Sequence, residues 1–167
     1  MKLKITTYPN KILRTKLDEV KDFGEEKLQN TIKEMTRIMK KYDGIGLAAN
    51  QVGLNQKIVI IEFDNKTMEF INPVITKKSI LKQESNEGCL SFPKISGIVN
   101  RPKNMEIQYY DIEGKKHKIK VSGLYSNVFE HEIDHTNGIV FTDKIKKFTE
   151  GEKIFIKLQN QAKENER

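Results

Sequence analysis

No apolar run in this chain approaches the ~20 residues that a membrane span needs. The opening residues 1–5 carry neither the apolar stretch nor the small-residue cleavage site of a secretory signal, so a cytoplasmic protein with no membrane partner is expected. The 167 residues include one cysteine, Cys89, which excludes an internal disulfide and leaves that sulfur to act as a thiol, a thiolate or a packed side chain. There is no internal repeat, low-complexity block or domain-scale linker, and a single catalytic domain spanning 1–167 is expected. Lysine and arginine total 30 against 23 acids, a net charge of +7. The lysines are dispersed, however, and no RNP-like aromatic motif or Arg-rich block accompanies them, so dedicated nucleic-acid recognition is not expected.

Apolar spacing then divides the chain. Leu28, Ile32, Met35, Ile38, Met39 and Tyr42 form one helical stripe over residues 25–42, and Asp43-Gly44 supplies a stop through the left-handed conformation open to glycine. Runs rich in Ile, Val, Phe and Tyr predict strands at 58–63, 68–75 and 105–110. A further strand at 116–121 closes a hairpin around Asp111 to Gly114, with Ile107, Tyr109, Ile119 and Val121 facing inward. A second helix starts near Ser122, places Leu124, Val128, His131 and His135 on one side, and ends at Gly138. Thr149 to Glu152 has the form of a capping box opening a terminal helix, with Ile154, Phe155 and Leu158 inside and a fraying polar tail. The fold class expected is α+β: antiparallel or mixed sheets packed around a central histidine-bearing helix, flanked by an N-terminal and a C-terminal helix.

The strongest chemical signal is His131-Glu132-Ile133-Asp134-His135. Helical residues four apart are separated by about 6 Å of rise and about 40° of rotation, so both imidazoles can reach one metal ion. The glutamate beside the first histidine can take a proton from a water activated there. Because the histidines share an apolar stripe, where an unpaired imidazole is costly, a metal site is favoured over incidental surface histidines. The remaining histidine, His117, sits in a Lys-rich hairpin and reads as a solvated bystander. An open site needs a third protein ligand, and Cys89, within Glu87-Gly88-Cys89-Leu90-Ser91, is the candidate. Gly44-Ile45-Gly46-Leu47-Ala48-Ala49 imitates a dinucleotide fingerprint but follows a helix where that motif must follow a strand, which rejects the nucleotide reading. Its small residues allow close backbone approach to a ligand, Gln51 offers a neutral donor suited to an oxyanion, and a plain helix-to-strand connection is the alternative.

Taken together, Gly44 to Gln51, Glu87 to Ser91 and His131-Glu132-Ile133-Asp134-His135-Thr136-Asn137-Gly138 resemble the three ordered motifs of peptide deformylase. Tyr8-Pro9 with Leu13-Arg14 resembles that family's opening segment, and the short distance from Gln51 to Cys89 resembles the compact bacterial form. The resemblance implies removal of the N-formyl group from the initiator methionine of nascent chains, with release of formate. It implies Cys89, His131 and His135 as ligands of one metal, Fe(II) by family practice with Zn, Ni or Co as substitutes. Glu132 would act as general base and then acid, and Gln51 with the backbone N–H of Leu90 would stabilise the oxyanion. Gly44, Ile45, Gly46, Leu124 and Val128 are the expected substrate-binding residues. Glu87 would pair with Arg101, while Ser91 and Asp134 would orient the ligands. The basic stretch from Lys144 to Lys163, read as the terminal helix, would dock on ribosomal RNA near the exit of the nascent chain. Three departures stand out: Glu130 where the family usually has Gln, Thr136 in place of Leu, and Tyr125-Ser126-Asn127 in place of an Ala-Arg pattern. The competing readings are a zinc metallopeptidase taking a third ligand from Glu150 or Glu152, and an inactive metal-binding homologue.

Overall fold

The structure, a computed structural model, describes residues 3–164. The first long element, α1 (Glu26–Lys41), buries Leu28, Ile32, Met35, Ile38 and Met39, the stripe read from the sequence. Its stop differs from expectation: Asp43, at φ 52°, is the left-handed residue, and Gly44 is not. A short carboxylate side chain tolerates that conformation. Gly44 is small for another reason, because Leu90 Cδ1 would lie 3.2 Å from any Cβ placed there.

The strands follow as β1 (Gly46–Ala48), β2 (Ile58–Phe63), β3 (Lys66–Lys78), β4 (Lys82–Cys89), β5 (Phe92–Pro102), β6 (Asn104–Tyr110) and β7 (Lys116–Ser122). After them come α2 (Gly123–Thr136), β8 (Ile145–Glu150) and α3 (Glu152–Glu164). The fold is α+β, and every pairing among the described strands is antiparallel, in two sheets ordered β1-β2-β3-β6-β7 and β4-β5-β8. Strand alternation divides the core between the two helices. Ile58 and Ile60 join the α1 residues on one face of the larger sheet, whereas Val59 and Ile61 join Phe129 and Ile133 of α2 on the other. In the β6–β7 hairpin Ile107, Tyr109 and Val121 are buried as read and Ile119 is half-buried.

Strands β4 and β5 are absent from the sequence reading. The β4 segment, Lys-Gln-Glu-Ser-Asn-Glu-Gly-Cys, has no run of β-branched residues to announce it and is held by its pairing with β5. The register shifts between Gly88 and Cys89, so the cysteine lies at a bulge where the strand leaves its regular ladder.

Further local readings change. Helix α2 is not amphipathic in its second half: every residue from Val128 to Thr136 is buried, while Leu124 at its start is 64% exposed. Thr149 belongs to β8, where its hydroxyl donates to Asn86 Oδ1 (2.9 Å) and meets Ser96 Oγ, so no capping box forms. Instead Gly151, at φ 76°, precedes α3 and its carbonyl accepts from Phe155 N–H; a Cβ there would overlap the Lys94 carbonyl oxygen. Within α3 Phe155 is the buried residue, Leu158 is half-buried and Ile154 is exposed. His117 lies outside the candidate metal group, as read, but is half-buried rather than solvated: its Nε2 lies 2.6 Å from Asp111 Oδ2 and its ring stacks on Tyr109. Gly138, at φ 73°, follows the end of α2. The polar tail expected to fray reaches residues 165–167, which lie outside the described residues.

Candidate metal centre

Helix α2 presents His131 and His135 one turn apart, and the β4 bulge brings Cys89 against them from a second sheet. One ligand atom from each lies within 4.8 Å of the others. Cys89 Sγ is 3.3 Å from His135 Nε2. His131 uses Nδ1 on Glu87 Oε2 at 2.8 Å, which commits its Nε2 to the side of the cysteine. A soft sulfur and two imidazole nitrogens suit a borderline ion such as Fe(II), Zn, Ni or Co. His135 Nδ1 is buried without a partner in the protein. Glu150 and Glu152, the alternative third ligands, are exposed on β8 and at the start of α3 and are not members of this group.

Glu87 is the link between these ligands and the interior. Both of its oxygens accept from Arg101, at 2.7 Å each, and Arg101 has no solvent exposure. Burial works against the charged form of Glu87, but the hydrogen bonds from Arg101 and His131 outweigh it and take its pKa down to about 2. For His131, likewise, burial opposes charge, and contacts with Cys89 and Glu87 overcome it, raising the metal-free ring to about 10. His135 is pushed well down by burial and by the neighbouring cationic ring. Asp134 does not touch a ligand ring. It accepts from Arg101 and Lys144, both at 2.5 Å, and so lies one residue further from the centre than expected. Ser91 is buried with its hydroxyl unpartnered and orients no ligand through it.

Glu132 is buried beside the same centre with Oε2 unpartnered. Burial dominates its titration, and the opposing charge of His131 leaves it raised to about 7. The carboxylate packs directly on the β1 backbone at Gly46, where a Cβ would lie 2.6 Å from Oε1. Gln51 stands in the 3-10 turn Ala49–Val52. Its Oε1 accepts from Ala48 N–H at 2.8 Å, which turns Nε2 outward to donate to Cys89 Sγ at 3.3 Å. The amide therefore presents its donor side, and not its acceptor side, to the centre.

A cleft of about 140 Å³ adjoins this group, with Ile45, Leu124 and Val128 on its wall beside His131 and Glu132. Gly44 does not line it and instead lies under Leu90 and Met39. Ser85, Asn86 and Asn127, absent from the residues expected from the sequence, line it as well: β4 has no apolar period to announce the first two, whereas Asn127 lies four residues before His131 on the same face of α2. Glu130 points away from the centre: it is buried, pairing with Lys78 at 2.5 Å and Arg101 at 3.2 Å. One residue along a helix turns a side chain by about 100°, and that offset from His131 was the available signal. Lys144 belongs to no basic helix face, since it precedes β8 and turns inward to Asp134.

Fold and donor set together are those of a protein able to hold one metal ion on a His-Glu-x-x-His helix, with a cysteine from a separate sheet in place of a downstream third ligand. The family model for polypeptide deformylase matches residues 2–150, and the chain belongs to that family. Among curated proteins it is 40% identical over 148 residues to "Peptide deformylase 1B, chloroplastic" of Oryza sativa subsp. japonica, an alignment covering 86% of this chain and 55% of that protein. The chain spans about half the length of the plant relatives it matches. A peptide deformylase of Thermotoga neapolitana is 36% identical over 143 residues, with 86% of this chain and 87% of the relative covered. Among solved structures, the deformylase of Thermotoga maritima superposes with a TM-score of 0.84 at 34% identity, covering 87% of this chain and 99% of that one. A Plasmodium falciparum peptide deformylase in complex with an inhibitor gives 0.82 at 39% identity, covering 96% and 97%.

Proposed function

We propose that this chain is a peptide deformylase acting as a single catalytic domain, 1–167, that removes the formyl group from N-formylmethionyl nascent peptides and releases formate. The observation that carries this reading is the convergence of Cys89, His131 and His135 within 4.8 Å of one another beside a buried Glu132 whose Oε2 has no partner. Those three side chains would hold one metal ion, Fe(II) being the expected species and Zn, Ni or Co substitutes; when bound, it supplies Lewis acidity toward the formyl oxygen and lowers the pKa of water.

The remaining work falls to the chain's own groups. Glu132, with a pKa near neutrality, takes the proton of the attacking water and returns it to the departing amine. The Gln51 amide, turned donor-outward by Ala48, and the Leu90 backbone N–H stabilise the charge that develops on the formyl oxygen. One such donor is worth about 3 kcal/mol of barrier. Glu132 packs so closely on Gly46 that little space remains around the scissile carbon, which favours formyl over larger acyl groups. Ile45, Leu124 and Val128 supply apolar surface for the methionine side chain.

No helix among the described residues is long and apolar enough to cross a membrane, and a cytoplasmic location is proposed. Lys153, Lys157 and Lys163, all exposed on α3, provide a basic face for docking on ribosomal RNA; Lys144 is excluded from it. Salt-dependent co-sedimentation with ribosomes tests the docking, and no binding at low salt refutes it.

The deciding experiment for the activity is an anaerobic assay of iron-loaded protein on formyl-Met-Ala, read by formate release. Glu132→Gln is expected to keep its metal and lose about a hundredfold or more in kcat. Background turnover in fully loaded parent protein refutes the proposal, and normal turnover in the variant removes Glu132 from its role.

A further inference from the structure

Arg101 heads the side chains with no solvent exposure, and three carboxylates converge on it. Glu87 takes Nε and Nη2, Asp134 takes Nη1 at 2.5 Å, and Glu130 shares Nη1 at 3.2 Å. Two lysines reach the same cluster from elsewhere in the chain. Lys78, the last residue of β3, donates to Glu130 at 2.5 Å, and Lys144 donates to Asp134 at 2.5 Å and stands 4.0 Å from Glu130. With His131 neutral, the state in which its ring can hold a metal, the formal charges close, three carboxylates against three cations. Such closure matters because an uncompensated buried charge costs several kcal/mol. Only one member faces the candidate metal centre: Glu87, which also holds His131 Nδ1.

Were Glu130 replaced by a neutral amide, the cluster would hold two carboxylates against three cations, and the Lys78 ammonium would be surplus. We infer that Glu130 and Lys78 are a matched pair of positioning residues for the metal centre: their ion pair completes the cluster that seats Arg101, Arg101 grips Glu87, and Glu87 sets the ring of His131. Neither residue belongs to the Cys89, His131 and His135 group or lines the adjoining cleft. The inference rests on the reading that Cys89, His131 and His135 bind a metal, and it goes beyond that reading by assigning two residues that no motif contains. Lys78 contributes from 47% exposure, so its removal leaves no large cavity.

The test is a double-mutant cycle on the full chain, E130Q, K78M and E130Q/K78M, each loaded with Co(II) under anaerobic conditions. The readouts are the visible absorption of the bound ion and its release rate into excess chelator, neither of which requires turnover. Each single variant is expected to release Co(II) about tenfold faster than the parent, with a shifted visible band. The double variant should return to within about twofold of the parent, because removing both partners restores charge balance while the amide introduced by E130Q can still accept from Arg101. K78R should behave as parent. Singles within about twofold of the parent, or a double variant whose effect is the product of the singles, overturn the pairing. Should E130Q fail to fold, K78M against K78R decides alone by the same readouts. A parent chain that binds no Co(II) overturns the metal-site reading itself, whereas tight parent binding with indifferent variants overturns only this inference.

Discussion

The close approach of β1 to α2 yields a sharp quantitative expectation at Gly46. A methyl group there would stand 2.6 Å from Glu132 Oε1, 2.8 Å from its Cγ and 2.9 Å from its Cδ, where ordinary contact begins near 3.4 Å. Gly46 does not adopt a positive φ, so alanine suits the backbone and the whole effect falls on the glutamate. The carboxylate must retreat by roughly the better part of an ångström, and misplacing a reacting group by about 1 Å costs on the order of a hundredfold in rate. Gly46→Ala is therefore expected to lower kcat on formyl-Met-Ala about a hundredfold. Metal content should stay at the parent level, because the three atoms nearest the added methyl all belong to Glu132 and none to Cys89, His131 or His135. Anaerobic formate release measured beside metal analysis of the same sample checks both halves. A kcat within about threefold of the parent, at equal metal content, would refute the claim that Gly46 is there to admit the base.

The buried cluster gives two further expectations. Arg101→Met removes the partner shared by three buried carboxylates and leaves Glu87 without its guanidinium, while Glu130 and Asp134 keep Lys78 and Lys144; it should lower the unfolding free energy by at least about 3 kcal/mol in urea, whereas a smaller loss would mean that water replaces the guanidinium. Because the pKa of Glu87 is depressed in the folded state, its contribution to stability is fully present above the ordinary glutamate pKa of 4.5 and is lost as pH falls through about 2. Glu87→Gln should thus flatten the acid limb of a stability-versus-pH curve, and an unchanged slope between about pH 5 and 2 would contradict the assignment. Cys89→Ala should fold and lose stoichiometric metal, as read by metal analysis after dialysis; full retention would revive a ligand set without the sulfur.

How far the chain disclosed itself in one dimension depended on the kind of pattern involved. The α1 stripe was readable because a helix packed on one side must place its apolar residues three and four apart. The hairpin β6–β7 was readable because its alternation is strict on one face. Strand β4 was not, because its stability comes from the ladder with β5 and from the burial of Glu87, neither of which leaves an apolar period. The capping box failed for a related reason: Thr149 satisfies its hydroxyl across the sheet on Asn86 and Ser96, partners distant in the chain.

At the candidate centre the division follows the range of the interactions. The spacing of His131 and His135 and the presence of Glu132 between them are local consequences of helical geometry, so the residue order alone specifies which groups share a face. That Cys89 joins them depends on a bulge between two strands and on the packing of a separate sheet against α2, which long-range contacts settle. The Arg101 cluster draws charges from positions 78 to 144, and the direction each side chain takes was decided by the cost of leaving any of them unpaired in the interior. Local periodicity carries no record of that cost, because it arises only once the chain has closed and excluded water.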